Sequence, residues 1–348
     1  MNKGITFALG SAVLFGMSTP FAKLLVGAMP PLMLAGLLYA GAGLGLLLVL
    51  GMRRLIARNA LSMGWPSGGE WHWLAAAILF GGVAAPVALM YGLATTAAST
   101  ASLLLNLEAF FTAVLAWFLF RENFDRRVVL GLLSIVSGGL LLAWAPAEHG
   151  QASFGLLLVV VACLCWGLDN NLTRKVAASN AVVIAGIKGL VAGTINLGLA
   201  LALGQALPAG AVIGSAAVVG FFGYGVSLVL FVLALRHLGS ARTGAYFSVA
   251  PFFGAALAFL LQGDALTWQF AVAGTLMATG VWLHVTEYHG HRHTHEPEEH
   301  RHPHTHDDHH QHIHETWDGG IPHTHTHVHK PLVHSHAHYP DLHHRHPH

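Results

Sequence analysis

Apolar residues run along this chain in long blocks, unlike the alternating or one-in-three-or-four patterns of soluble strands and helices. Ten such blocks fall at approximately 5–26, 31–50, 71–93, 97–119, 127–145, 153–175, 181–203, 211–233, 241–262 and 266–287. A helix rises about 1.5 Å per residue and needs roughly 20 mostly apolar residues to cross a hydrocarbon core of about 30 Å. Each block therefore predicts a transmembrane α-helix. The first is too long for a signal-peptide core and is followed by no small-residue cleavage pattern, so it counts as a span. From His289 onward the pattern changes to histidine at nearly every second position, with no long apolar run.

Lys and Arg are retained on the cytoplasmic side of a membrane. With the amino terminus inside, Lys3 and the even-numbered loops carry Arg53, Arg54, Arg58, Arg121, Arg126, Arg127, Arg174, Lys175, Arg236 and Arg242, and the odd-numbered loops carry none. One span more or fewer would scatter these charges over both faces. The pattern thus predicts ten spans with both termini cytoplasmic, in a plasma (bacterial inner) membrane. Lys23, near the outer end of the first span, is the one awkward charge.

The two halves resemble each other. "SAVLFGMSTPFAK" at 11–23 lies over "ACLCWGLDNNLTR" at 162–174, with Gly16 on Gly167 and Lys23 on Arg174. "NLEAFFTAVLAWFLFRE" at 106–122 lies over "SVAPFFGAALAFLLQGD" at 248–264, with Phe110 and Phe111 on Phe252 and Phe253 and Glu122 on Asp264. Five is an odd number of spans, so the repeats, 1–146 and 152–288, are inverted relative to each other. Inverted repeats mark secondary transporters, whose substrate sites lie near the midplane between halves. On these stretches the chain, over about 1–288, resembles the EamA-type members of the drug/metabolite transporter superfamily. The resemblance implies a ten-helix carrier without a cofactor, generally an exporter of small metabolites, amino acids or toxic compounds. It also matches Glu122 to the glutamate that members place just after the fourth span. Many members carry an Arg near the start of the second span; "AGLLYAGAG" has none, and Lys188 stands in the corresponding helix of the second half.

An ionisable group inside a bilayer costs a few kcal/mol on insertion scales and is a functional candidate by default. Glu108 falls near the middle of the fourth span beside Asn106. It reads either as a proton acceptor or cation ligand in a central cavity, or as a neutral carboxyl satisfied by neighbouring hydroxyls. Asp169 opens the polar run "DNNLTRK" in the sixth span, and Lys188 is at similar depth in the seventh. The two form either a structural ion pair or a wet site for a zwitterion or a proton. Asn170 and Tyr246 complete the candidate transport pathway. Cys165 and Asp169, four apart on one helix face, are a weak metal pair, and Cys163 and Cys165 point about 200° apart, against a disulfide. Pro20 and Pro86 break helical hydrogen bonds, and the glycine pairs Gly41 with Gly45 and Gly189 with Gly193 fit close helix packing.

Composition sharpens the division. Only 9% of residues are charged and 54% are hydrophobic, against about 25% charged in soluble domains. The scattered basic residues exclude a nucleic-acid partner. No nucleophile with a base, phosphate-binding loop or paired-histidine helix suggests an enzyme. Residues 289–348 hold 23 of the 27 histidines and lack the apolar surface to offset chain entropy, which predicts a tail disordered without a ligand. The fold class expected is thus an all-α integral membrane protein with ten transmembrane helices as two inverted five-helix repeats, plus that tail. The tail contains two matched blocks, 289–314 and 323–348. The first carries His289, His291, His293, His295, His300, His302, His304, His306, His309, His310, His312 and His314, and the second His323, His325, His327, His329, His334, His336, His338, His343, His344, His346 and His348. Imidazoles at this density suit Ni, Co or Zn in several exchanging sites. The function expected is a secondary exporter of a small solute with a metal-binding cytoplasmic tail, with metal-ion efflux as one version. Alternatives are a membrane-anchored metal buffer or sensor, and a metabolite or amino-acid exporter whose tail only regulates. Partners are the lipid bilayer and a small-molecule or metal-ion substrate, with a homodimer as the candidate assembly.

Overall fold

The computed structural model describes residues 3–56, 65–66, 68–120, 126–144, 150–177, 179–286, 290–295, 299–304, 323–328 and 332–337. Arg58, Arg121, Glu122 and the histidines at 289, 306, 309, 310, 312, 314, 329, 338, 343, 344, 346 and 348 lie outside these residues. The helices and four short strands make up two units.

The helical unit runs α1 (Lys3–Val26), α2 (Pro31–Ile56), α3 (Trp71–Ala77), a π-helical segment Ile78–Ala84, α4 (Ala85–Thr95), α5 (Ala98–Leu104), α6 (Leu107–Phe120), α7 (Arg126–Ala143), α8 (Gly150–Arg174) and α9 (Ala181–Ala202). It continues with α10 (Gly210–Gly220), a second π-helical segment Phe221–Val226, α11 (Ser227–Phe247), α12 (Ala250–Gln262) and α13 (Trp268–Val285). Among the described residues, 8 helical stretches are long and apolar enough to cross a membrane: Lys3–Val26, Pro31–Met52, Trp71–Thr95, Ala98–Phe118, Phe154–Arg174, Ala181–Ala202, Gly210–Leu238 and Thr243–Gln262. The shorter α7 and α13 occupy the positions of the fifth and tenth expected spans. One expectation is corrected: helical hydrogen bonding continues through 234–240, where a loop was expected, and the chain breaks at 248–249 instead.

Large apolar side chains cover the outside. In α2, Leu44, Leu47, Leu48 and Met52 are exposed, and in α7 Val129, Leu130, Leu133 and Leu140. Their spacing makes one apolar stripe per helix, a surface suited to lipid, and the chain is a multi-pass membrane protein. Lipid gives no hydrophobic drive between helices, so contact depends on small residues that let backbones approach. Such residues line the interfaces. A Cβ on Gly189 of α9 would lie 2.5 Å from the Gly43 nitrogen of α2 and 2.7 Å from its Cα, and one on Gly41 would lie 2.5 Å from Ala217 Cα of α10. A Cβ on Gly16 of α1 would fall onto the Ala250 carbonyl at the start of α12.

Helix directions follow from these contacts. Gly36, Gly43 and Gly186 place α2 antiparallel to α9; Gly81, Gly92 and Gly155 place the third helical stretch antiparallel to α8. Gly4 against Leu238 and Gly223 against Ser18 place α1 antiparallel to the stretch Gly210–Leu238, and Gly138 and Gly280 set α7 antiparallel to α13. Ser11 and Ser227 close the α1–α11 contact by exchanging hydroxyl-to-carbonyl bonds of 2.7 and 3.0 Å.

In the second unit, β1 (Gly290–His295) pairs antiparallel with β4 (Leu332–Ala337), and β2 (Glu299–His304) with β3 (His323–Val328). These paired segments lie within the stretch expected to be disordered without a ligand.

Overpacking the α2–α9 contact tests this account. Gly189→Leu is expected to lower unfolding stability in detergent by about 1–3 kcal/mol, measured by thermal denaturation. Gly198→Leu on the same helix, where a Cβ meets nothing within 4 Å, is expected to have little effect; equal effects would contradict the packing.

Candidate functional site

The site begins with a defect in a helix. Pro86, near the start of α4, has no N–H, so the carbonyl four residues earlier, Gly82, loses its helical donor, and the shifted bonding of the segment before it leaves Gly81 without one as well. The segment 78–84 takes up the mismatch as a π-helical turn, with the Ala85 N–H donating to the Phe80 carbonyl. Buried away from water, a free carbonyl costs about as much as a lost hydrogen bond, and three other helices supply donors. Tyr39 Oη of α2 donates to the Gly81 carbonyl at 2.6 Å, Trp166 Nε1 of α8 donates to the same oxygen at 3.1 Å, and Asn196 Nδ2 of α9 donates to the Gly82 carbonyl at 3.1 Å. Phe15, Tyr39, Trp166 and Tyr224 form a ring layer around this point, with centroids 5.3–5.9 Å apart.

Gly81 also fixes where the charges sit. A Cβ there would fall onto the Asp169 carboxylate, so only glycine lets Asp169 lie against the π-helical backbone. Asp169 accepts from Lys188 Nζ at 2.6 and 2.7 Å through its two oxygens, and from Thr173 Oγ1 at 2.8 Å. Lys188 is 2% exposed and Asp169 5%. The pair spans α8 and α9. An opposite charge is what each group requires at this depth, since an unpaired buried charge is severely penalised.

Beside it, Asn170 Nδ2 donates to Glu108 Oε1 at 2.8 Å and lies 3.2 Å from Thr112 Oγ1, while Asn171 Nδ2 donates to the Thr112 and Gly167 carbonyls at 3.0 and 2.8 Å. Glu108 sits in the first turn of α6, just after the chain breaks at 105–106. A second break at 248–249 separates α11 from α12. Asn106 lies in the first break; its Nδ2 donates to the Leu103 carbonyl at 3.1 Å, and among the described residues its Oδ1 has no hydrogen-bond partner.

Of the sequence candidates, the structure thus brings Asp169, Lys188, Asn170 and Glu108 into two adjoining hydrogen-bonded groups, with Asn106 two residues before Glu108. Tyr246 lies elsewhere, against a small cluster of Ile5, Phe7, Ala8, Ala234 and Leu238. Cys165 is buried, but the Asp169 carboxylate is occupied by Lys188, and among the described residues no group of three metal-ligating side chains occurs. Lys23, the awkward charge, donates to the Leu93 and Thr96 carbonyls at the end of α4 at 2.5 and 2.9 Å, where a cation also opposes the helix dipole. Asp264 Oδ2 accepts from the Ser99 N–H at the start of α5 at 2.9 Å. Sequence reading missed Tyr39, Trp166 and Asn196. The available signal was the Gly-Gly pair four residues before Pro86.

The EamA-like transporter family matches residues 2–144 and 153–286. A protein of Methanothermobacter thermautotrophicus named as an uncharacterized transporter is 28% identical over 292 residues, covering 80% of this chain and 85% of that one. A Salmonella typhimurium protein named as a probable amino-acid metabolite efflux pump is 25% identical, covering 80% and 93%. A solved structure, titled only as the crystal structure of a protein, superposes with a TM-score of 0.63 at 17% identity over 82% of this chain and 98% of that one, a likeness of fold.

The buried pair makes a sharp stability test. Lys188→Met or Asp169→Asn alone is expected to destabilise the protein in detergent by about 3–5 kcal/mol. The combination Lys188→Met with Asp169→Leu, which removes both charges, is expected to recover most of that loss in the same unfolding measurement; additive losses would contradict the pairing.

Proposed function

The chain belongs to the EamA-like transporter family, and from that premise we propose that it is a secondary carrier exporting a small amino-acid-like metabolite across the bacterial inner membrane. We assign it ten spans in two inverted five-span halves with both termini cytoplasmic. Reciprocal packing supports this: the stretch Trp71–Thr95 lies along α8 as Gly210–Leu238 lies along α1, and α2 meets α9 as α7 meets α13. The π-helical segments at 78–84 and 221–226, and the breaks at 105–106 and 248–249, also stand at matching places.

The observation that carries the cargo reading is the Asp169–Lys188 pair seated on the π-helical turn. Closed, the two charges neutralise each other. A zwitterion entering between them offers its carboxylate to Lys188 and its ammonium to Asp169, so every charge stays paired while two ligand contacts replace one internal contact. The neighbouring aromatic layer suits an apolar side chain. Glu108, held by Asn170 one group away, is the proton-exchanging carboxyl that couples export to a proton gradient. A divalent cation at the pair would face the Lys188 ammonium, which argues against metal as the cargo of this site. Ni, Co or Zn belongs instead to the histidine tail, where metal gathers beside a carrier that works without it. The naming of the Salmonella relative as a probable amino-acid metabolite efflux pump agrees with such cargo.

Transport in proteoliposomes tests the reading. Lys188→Met and Asp169→Asn are expected to reduce amino-acid counterflow at least tenfold. Glu108→Gln is expected to keep counterflow but lose accumulation driven by a pH gradient, and deletion of 289–348 to leave both intact. Flux of Ni, Co or Zn with no flux of any amino acid would overturn it.

A further inference from the structure

The pairing of the tail strands joins the two histidine blocks to each other. β1 and β2 belong to the first block and β3 and β4 to the second, and one register runs through both pairings, from Gly290 opposite Ala337 to His304 opposite His323. In that register His291 faces His336 and His293 faces His334, while His300 faces His327, His302 faces His325 and His304 faces His323. A slip of one residue would set every one of these histidines against a non-histidine neighbour. Within each pairing, residues two apart share a face, so the paired histidines of β1 and β4 occupy one face, and those of β2 and β3 occupy one face of theirs.

Residues directly opposite in an antiparallel pair have Cβ atoms about 4.5–5.5 Å apart. The next pair on that face is about 6.5–7 Å along the strand. Two adjacent cross-strand pairs therefore set four imidazole-bearing residues at the corners of a small rectangle, the ligand number that Zn and its neighbours take. The other face is Glu299, Arg301, Pro303, Thr324, Thr326 and Val328 in the second pairing, which provides no apolar layer. Isolated two-stranded ribbons are marginal in water at best. A metal ion resolves that difficulty, since its binding free energy becomes folding free energy.

We propose that the tail carries divalent-metal sites shared between the blocks, one at His291, His293, His334 and His336 and one among the three histidine pairs of β2 and β3. Each block supplies half of a site, and metal is what staples 290–304 to 323–337. The proposal rests on the reading of the tail as a metal binder and goes beyond it by making the two blocks mutually dependent.

The test uses the full-length protein in detergent, titrated with Zn against a chromophoric chelator. Three proteins are compared with the parent: one with His300, His302 and His304 changed to Asn, one with His323, His325 and His327 changed to Asn, and one with all six changed. Each triple change is expected to remove the same tightly held ion, and the sixfold change to remove no more than either. Hydrogen exchange supplies the second readout: Zn is expected to protect amides in 299–304 and 323–328 together, and either triple change to abolish protection in both. If each triple change removes its own share and the sixfold change removes their sum, or if protection of one block survives loss of the other, the shared sites are overturned and tail metal binding stands. If the parent binds no more Zn than protein lacking 289–348, the tail is not a metal binder and both readings fall.

Discussion

A backbone carbonyl inside a bilayer has no water to turn to, and much of this protein's interior is arranged around that constraint. Pro86 and the π-helical turn before it leave two carbonyls in the middle of a span without helical donors. The bundle answers with Tyr39, Trp166 and Asn196, each from a different helix. These three bonds hold α2, α8 and α9 against a backbone turn that would otherwise be the weakest part of the membrane-embedded structure. The same turn, by presenting Gly81, provides the only kind of floor on which a carboxylate can rest so close to main chain. Backbone satisfaction and the placing of Asp169 are thus one arrangement.

From that floor the electrostatics follow in order. Asp169 on the π-helical turn requires a cation, and Lys188 reaches it from α9, whose approach to α2 depends on Gly189 and Gly193. Thr173, one turn on, donates to the same carboxylate. Asn170, adjacent in sequence but about 100° round the helix, leaves the pair and serves Glu108 on α6. One polar run in α8 thereby addresses two neighbouring helices, and the ionisable side chains of the middle of the bundle are distributed between them.

Much of the fold was legible because membrane spans follow from composition and length alone. Asp169, Lys188 and Glu108 were legible for a related reason, since ionisable residues stand out against an apolar background. What sequence could not supply was partner identity at short range. The Asp169–Lys188 pair was anticipated from matching depth, but the partners of the Gly81 and Gly82 carbonyls were not, because periodicity averaged over a 25-residue span does not register the one-residue insertion of a π-helical turn. Tyr246 packs with the start of α1 and does not join the Asp169 and Glu108 groups. The junction at 234–240 misled for another reason: Gly239 and Arg236 look like a loop, yet the Arg236 side chain bonds the carbonyls of Ala177 and Ser179 while the backbone remains helical.

The clasp at residues 93–99 has a consequence for how the molecule is made. Lys23 closes the end of α4 within the first half, but the first-turn N–H of Ser99 at the start of α5 is met by Asp264, 165 residues downstream. Gly16 likewise finds its packing surface only when Ala250 arrives. During synthesis the leading half therefore enters the membrane with a helix end and a bare glycine face that nothing yet made can cover. The two halves look alike in sequence, yet neither is a finished module. Completion of the first waits on translation of the last spans, which makes the order of insertion part of the folding problem.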